Sequence, residues 1–442
     1  MSRRRRQLPE APVSVRVDDL DAEGRGVARV DGKVVFIDGA LPGEEVRFRY
    51  TRMRGRFDEG QTVEVLQVSP DRVEPRCAYV EICGGCVLQH LRSEAQVDLK
   101  QARLLRELRQ LGGVEPETIY PPLIGNAWGY RRKARLGARY VPKKGGVLVG
   151  FRERRANRVA DIQSCEVLVP TVGPHLGELR RLLTDLHARD RVPQIEVAAG
   201  DDGATLVFRT LIPLDEVAQT ALREFGQHHG LAICLQPGGP DTVVPLWPDN
   251  AGELAYLLPE FDLRMRFLPT DFVQVNADIN RRLVTRAVEL LAPAPAERIV
   301  DLFAGLGNFT LPLARRGADV VGLEGDTALV ERARENAVAN GVTGATFAQA
   351  DLSRPEDLAP WLAGARKLLL DPPRTGAQVV VEGLAAPYPE RVVYVSCNPA
   401  TLARDAGTLA RKHGYDFVGT GVVDMFPHTN HVESISVFAR PA

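Results

Sequence analysis

The sequence of 442 residues is 44 % hydrophobic and 26 % charged, the balance of a soluble globular chain with room for about two to four domains. No run approaches the roughly 18 apolar residues of a membrane span, and the opening MSRRRRQLPE lacks the apolar stretch of a secretory signal. A cytoplasmic protein is expected, monomeric, with no membrane and no obligate protein partner. The formal net charge of −1 hides an asymmetry: residues 1–160 carry 31 Lys and Arg against 21 Asp and Glu, and the remainder 25 against 36.

Taken in chain order, residues 1–10 form a basic tail containing RRRR at 3–6. From 11 to 69 the alternating segments VSVRV, GVARV, KVVFI, EEVRFRY and QTVEVLQV are separated by turns such as Asp31-Gly32 and Asp38-Gly39. Five short strands in so small a span predict a small barrel of oligonucleotide-binding type. Residues 70–265 form a central α+β region. It opens with a cysteine-rich knot at 77–86 and a connecting helix near 95–112, whose apolar Val97, Leu104, Leu105, Leu108 and Leu111 recur at helical spacing. Further strands follow, with a helix around 174–188. Basic residues bunch at 47–56, 131–135 and 152–158, interleaved with Phe48, Tyr50, Phe57, Trp128 and Tyr130, a pattern suited to phosphate neutralisation and base stacking. From 266 to 442 strand and helix alternate, predicting a doubly wound, Rossmann-like parallel sheet with its ligand at the carboxyl ends of the strands.

Five motifs carry chemistry. In Asp301-Leu-Phe-Ala-Gly305-Leu-Gly307-Asn308 a strand runs into a glycine turn, and Glu324, at the end of the next strand, can accept hydrogen bonds from both hydroxyls of a ribose. Thr310 stands where the third glycine of a dinucleotide fingerprint belongs, which favours S-adenosylmethionine over NAD. In LLLDPPR the two prolines stiffen the loop after Asp371. One strand later, YVSCNPATLARD brings Cys397 to the same edge, where a thiolate can serve as nucleophile. In His428-Thr-Asn-His431-Val-Glu433 the carboxylate can act as a base. A metal on this HxxH is disfavoured, because no further ligand has suitable spacing and the turn residues do not suggest a helix. The spacing of Cys77, Cys83 and Cys86, with Cys165 downstream, points to a metal and suits an iron–sulfur cluster better than zinc. Cys234 is expected in the core.

CAYVEICGGC, WGYRRKARLG, DFVQVN, DLFAGLGNFTLPLA, LLLDPPR, VYVSCNPATLARD and MFPHTNHVES together resemble, over nearly the whole chain, the RNA (uracil-5-)-methyltransferase family, in particular its bacterial 23S ribosomal RNA branch with an N-terminal TRAM domain. The resemblance implies Cys397 as nucleophile and Glu433 as base. It implies a [4Fe-4S] cluster on Cys77, Cys83, Cys86 and Cys165. It also implies an S-adenosylmethionine site lined by Gln274, Phe303, Asn308, Glu324, Asp351 and Asp371 beside Gly305, and a 23S rRNA uridine as substrate. Ala304, Pro373 and Asn430 depart from the pattern without removing a functional group. Methylation of another 23S uridine or of the tRNA T-loop uridine is the near alternative. A radical S-adenosylmethionine enzyme would need a Cx3Cx2C triplet, and this chain has x5 then x2. A cytosine-5 methyltransferase would need a second cysteine near the cleft. A non-catalytic RNA-binding protein would not need Cys397.

Overall fold

A computed structural model describes residues 8–441, so the RRRR run at 3–6 lies outside the described residues. The chain divides into two compact units, residues 1–98 with 427–430, and residues 99–426 with 431–442.

The first unit carries a six-stranded sheet in the order Val13–Arg16, Glu45–Met53, Phe57–Gln67, Lys33–Asp38, Gly26–Val30, Asp19–Leu20. Alternation sets its inner face: Val35, Ile37, Val46 and Phe48 are fully buried, while Arg47 and Arg49 point outward. Asp31 and Gly32, both at positive φ (49° and 79°), close the hairpin between the strands Gly26–Val30 and Lys33–Asp38. Gly60 is required by packing, since a Cβ there would stand 2.4 Å from the Phe48 ring. The cysteine-rich stretch 77–86 is a run of turns.

The predicted connecting helix is observed as Ser93–Glu107, with a wider last turn at Leu108–Gly112. That turn lies against the helix Pro399–His413. A Cβ on Gly112 would come within 2.6 Å of the Ala403 carbonyl oxygen, so the close approach depends on glycine.

The second unit holds a six-stranded sheet ordered Val244–Trp247, Leu231–Gln236, Ala204–Arg209, Gln194–Ala199, Lys133–Val141, Gly146–Gly150, with helices Leu176–Asp185 and Glu216–His229 packed on it. A hairpin of Leu254–Leu258 with Leu263–Phe267 follows. The largest sheet has eight strands in the order Ala345–Gln349, Asp319–Glu324, Arg298–Leu302, Lys367–Leu370, Arg391–Ser396, Glu433–Ala439, Asp416–Val423, Thr118–Ile119. The first five run parallel, and three adjacent ones are apolar on both faces, with Val300, Leu368 and Val392 on one side and Ile299, Leu369 and Val393 on the other. Glu433–Ala439 inserts antiparallel beside Arg391–Ser396. The strand Asp416–Val423 escapes the sequence pattern because Gly419 and Gly421 interrupt it. Both are needed where Tyr120 crosses, since a Cβ would meet Tyr120 atoms at 2.5 and 2.9 Å. Among the described residues no helix is long and apolar enough to cross a membrane.

Candidate active site

The carboxyl ends of the parallel strands and the start of the antiparallel strand Glu433–Ala439 build the site. After Arg298–Leu302, Phe303, Gly305 and Gly307 adopt positive φ (67°, 55° and 92°), and the chain turns sharply before the helix Thr310–Arg315. Nothing lies within 4 Å of where a Cβ on Gly305 would stand, so the loop leaves open space for a ligand. Glu324 ends the neighbouring strand. Its Oε2 accepts from the Gly305 N–H at 3.0 Å, and its Oε1 accepts from Gly325 and Asp326 N–H at 2.8 and 3.0 Å. Three backbone donors thereby aim the carboxylate.

Beyond Lys367–Leu370, Asp371 accepts at Oδ2 from Gln274 Nε2 at 3.4 Å, and burial pushes its carboxyl up to about 7. Asn308 exchanges two 3.0 Å hydrogen bonds with Asn280, and its Oδ1 also accepts from the Tyr256 hydroxyl at 2.7 Å. This amide pair fixes the far wall of the cleft.

Cys397 follows Arg391–Ser396 directly. The next residue, Asn398, caps the helix Pro399–His413 by accepting from the Ala400 N–H at 3.2 Å, and its Nδ2 donates to the Arg374 carbonyl at 2.9 Å. One asparagine therefore ties the cysteine turn to the double-proline loop. Burial, then the charges of Glu433 and Asp371, push the Cys397 thiol up to about 11, with Arg374 opposing. Glu433 is fully buried at the head of Glu433–Ala439. Burial and the Asp371 charge push it up to about 8, again with Arg374 opposing. Arg374 also donates to His431 Nδ1 at 3.1 Å. A guanidinium can only donate, so Nδ1 carries the lone pair and the ring is neutral, consistent with burial and nearby cations pushing His431 down to about 4.

Gln274, Phe303, Gly305, Asn308, Glu324, Asp371, Cys397 and Glu433 all line one cleft of about 650 Å³. Asp351 lines a second cleft of about 660 Å³ that shares Phe303, Glu324 and Pro373 with the first. It accepts there from the Ser353 hydroxyl at 2.6 Å and its N–H at 3.0 Å. The sequence-predicted residues thus occupy two adjoining hollows at the carboxyl edge of the sheet. One hollow is lined by Gln349, Asp351 and Ser353, and the other holds a thiol, a buried acid and a guanidinium.

Cys77, Cys83 and Cys86 belong to the first unit and Cys165 to the second. The donor chemistry suits a thiophilic metal group, and the Gly85 N–H donates to Cys83 Sγ at 3.4 Å, an arrangement that stabilises a thiolate. At Cys165 the backbone N–H donates to the Gly173 carbonyl at 2.9 Å, and a Cβ on Gly173 would press to 2.4 Å from the Cys165 carbonyl oxygen. Cys234 is fully buried and burial pushes its thiol up to about 11, the behaviour of a core residue.

The basic cluster at 131–135 differs from expectation. Arg132 is 2 % exposed, with Nε on the Gln274 carbonyl at 2.7 Å and its guanidinium over the Tyr256 ring at 4.5 Å, and Lys133 donates to the Pro269 carbonyl. These two charges brace the cleft wall instead of facing solvent. Tyr256 and Asn280 were missed in the sequence, since neither stands in a motif. Their only signal is polarity at positions a strand and a helix bury.

Residues 256–440 match the family model described as tRNA (Uracil-5-)-methyltransferase, and residues 12–63 match the TRAM domain. The chain is 52 % identical over 443 residues to the 23S rRNA (uracil(1939)-C(5))-methyltransferase of Alkalilimnicola ehrlichii, covering 100 % of both chains. It is 52 % identical to the protein of the same description from Nitrosococcus oceani, covering 99 % of this chain and 98 % of that one. Among solved structures, the Pyrococcus abyssi tRNA (uracil-54, C5)-methyltransferase in complex with S-adenosyl-L-homocysteine superposes with a TM-score of 0.72 at 24 % identity, over 97 % of this chain and 100 % of that chain, which establishes a shared fold.

Proposed function

The chain belongs to the RNA (uracil-5-)-methyltransferase family, and from that premise we propose that it methylates C5 of uridine 1939 in 23S rRNA, using S-adenosylmethionine. The observation that carries the reading is the convergence of Cys397, Glu433 and the glycine loop on one cleft.

Glu324 would hold the ribose hydroxyls and Gly305 would let the backbone approach the nucleoside. Phe303 would pack against its base, Asp351 would bound the far end, and Gln274, Asn308 and Asp371 would line the methyl-donor end. When bound, S-adenosylmethionine supplies an electrophilic methyl group on a sulfonium sulfur. Uracil C5 is too weak a nucleophile to accept it unaided. Addition of the Cys397 thiolate to C6 forms a C–S bond and moves the C5–C6 electron pair onto C5 and O4. Arg374, whose charge opposes the upward push of burial on this thiol, favours the thiolate. Once C5 bears the methyl group, Glu433 takes the C5 proton, the C5–C6 double bond re-forms and Cys397 leaves as thiolate. A base must leave its stack to reach Cys397, so a looped or single-stranded RNA segment is the expected substrate.

Cys77, Cys83, Cys86 and Cys165 would hold a [4Fe-4S] cluster. Anaerobically purified protein should contain iron and sulfide that fall together in Cys83→Ser.

Mass-spectrometric mapping of 5-methyluridine in 23S rRNA and tRNA from a deletion strain tests the substrate. Loss at position 1939 alone is expected. Loss from tRNA with 23S rRNA intact would overturn the assignment.

A further inference from the structure

The central region brings together three side chains that the methyl-transfer chemistry does not use. His175 immediately precedes the helix Leu176–Asp185 and Glu178 lies three residues later, so both project from one face of the first turn. His229 ends the helix Glu216–His229, where Gly230 in the left-handed conformation (φ 65°) stops the chain. One carboxylate oxygen of Glu178 stands 3.3 Å from His175 Nδ1 and the other stands 3.1 Å from His229 Nε2. One ligand atom from each of the three residues lies within 4.8 Å of the others.

We propose that His175, Glu178 and His229 form a binding site for a divalent transition ion of the zinc class, separate from the cysteine ligands and from the catalytic cleft. Zinc bonds to imidazole nitrogen and carboxylate oxygen of about 2.0–2.1 Å put neighbouring ligand atoms of a tetrahedron about 3.3 Å apart. The observed nitrogen–oxygen separations of 3.3 and 3.1 Å belong to different oxygens of the Glu178 carboxylate, and with one ligand atom per residue the three lie within 4.8 Å, so loading draws them inward toward that edge. Two imidazoles with one carboxylate is a borderline donor set that selects zinc-like ions over magnesium or calcium.

The site is also built in advance. The His229 ring packs on Phe225, one helical turn earlier, with centroids 4.5 Å apart, and the His175 ring centroid lies 4.0 Å from that of His229. The His229 side chain is 7 % exposed, whereas that of Glu178 is 42 % exposed. The ion therefore sits on a buried floor with its open coordination position toward water. It joins the end of one helix to the start of another, beside the turn in which Gly173 supports Cys165, and so acts as a structural clip.

The test uses the full-length protein, stripped of loosely bound metal and titrated with Zn²⁺ alone and Co²⁺ alone. His229→Ala and Glu178→Gln should bind one equivalent fewer than the parent chain, while His228→Ala, altering the adjacent histidine, should bind as the parent does. Co²⁺ should give visible d–d bands of nitrogen and oxygen ligation that vanish in His229→Ala. Should that variant not fold, the more exposed His175→Ala carries the same comparison. Added Zn²⁺ should raise the melting temperature of the parent but not of the ligand variants. Equal zinc stoichiometry and equal cobalt spectra in parent and ligand variants would overturn the site.

Discussion

Glu433 and Cys397 share a cleft that disfavours charge on both, and their chemistry is set by which proton leaves first. The Glu433 carboxyl, ordinarily near 4.3, is held up to about 8, so the acid form predominates at neutral pH and the base form grows as pH rises. Turnover limited by removal of the C5 proton should therefore rise with pH and level off above about 8. Asp371→Asn deletes a negative neighbour that raises Glu433, and the rising limb should shift to lower pH. A profile unchanged by that substitution would contradict the assignment. Glu433→Gln should lower turnover by about 10²- to 10⁴-fold. It should also let a covalent protein–RNA complex accumulate, visible as a band that survives denaturing electrophoresis, because the adduct cannot lose its proton.

At the level of elements, the turn after Arg391–Ser396 does two jobs through Asn398. Asn398→Ala removes the helix cap, worth about 1 kcal/mol, and releases the Arg374 carbonyl. A lower melting temperature is expected together with slower turnover, whereas Asn398→Asp should keep the cap and lose only the bond to Arg374. The parallel strands were legible because burial on both faces writes an uninterrupted apolar run such as Val392–Val395. Cys397, Asp371 and Glu324 were legible because each ends such a run. Asp416–Val423 was not, since the glycines that admit Tyr120 erase its pattern. Nor were Tyr256 and Asn280, which reach Asn308 from elements distant in sequence. Arg132 was legible as a charge but not as a buried one, because only the tertiary fold supplies the Gln274 carbonyl and the Tyr256 ring that receive it.

For the whole molecule, the excess of basic residues before 160 predicts that RNA affinity falls steeply with salt as counterions are released. Arg49, Arg52 and Arg56 are exposed in the TRAM domain. Replacing all three by Ala should flatten the plot of log affinity against log salt by about 0.7–0.9 for each phosphate no longer neutralised, leaving S-adenosylmethionine binding unchanged. A slope equal to that of the parent would remove this surface from the RNA interface. The central claim, that Cys397 adds to uracil C6, is tested most directly by offering the protein S-adenosylmethionine and a 23S rRNA fragment carrying 5-fluorouridine at position 1939. Fluorine blocks the final loss of a proton, so digestion and mass spectrometry should recover a methylated fluorouridine joined to the peptide that contains Cys397, with no adduct in Cys397→Ala. An adduct on another residue, or complete turnover in Cys397→Ala, would contradict the account.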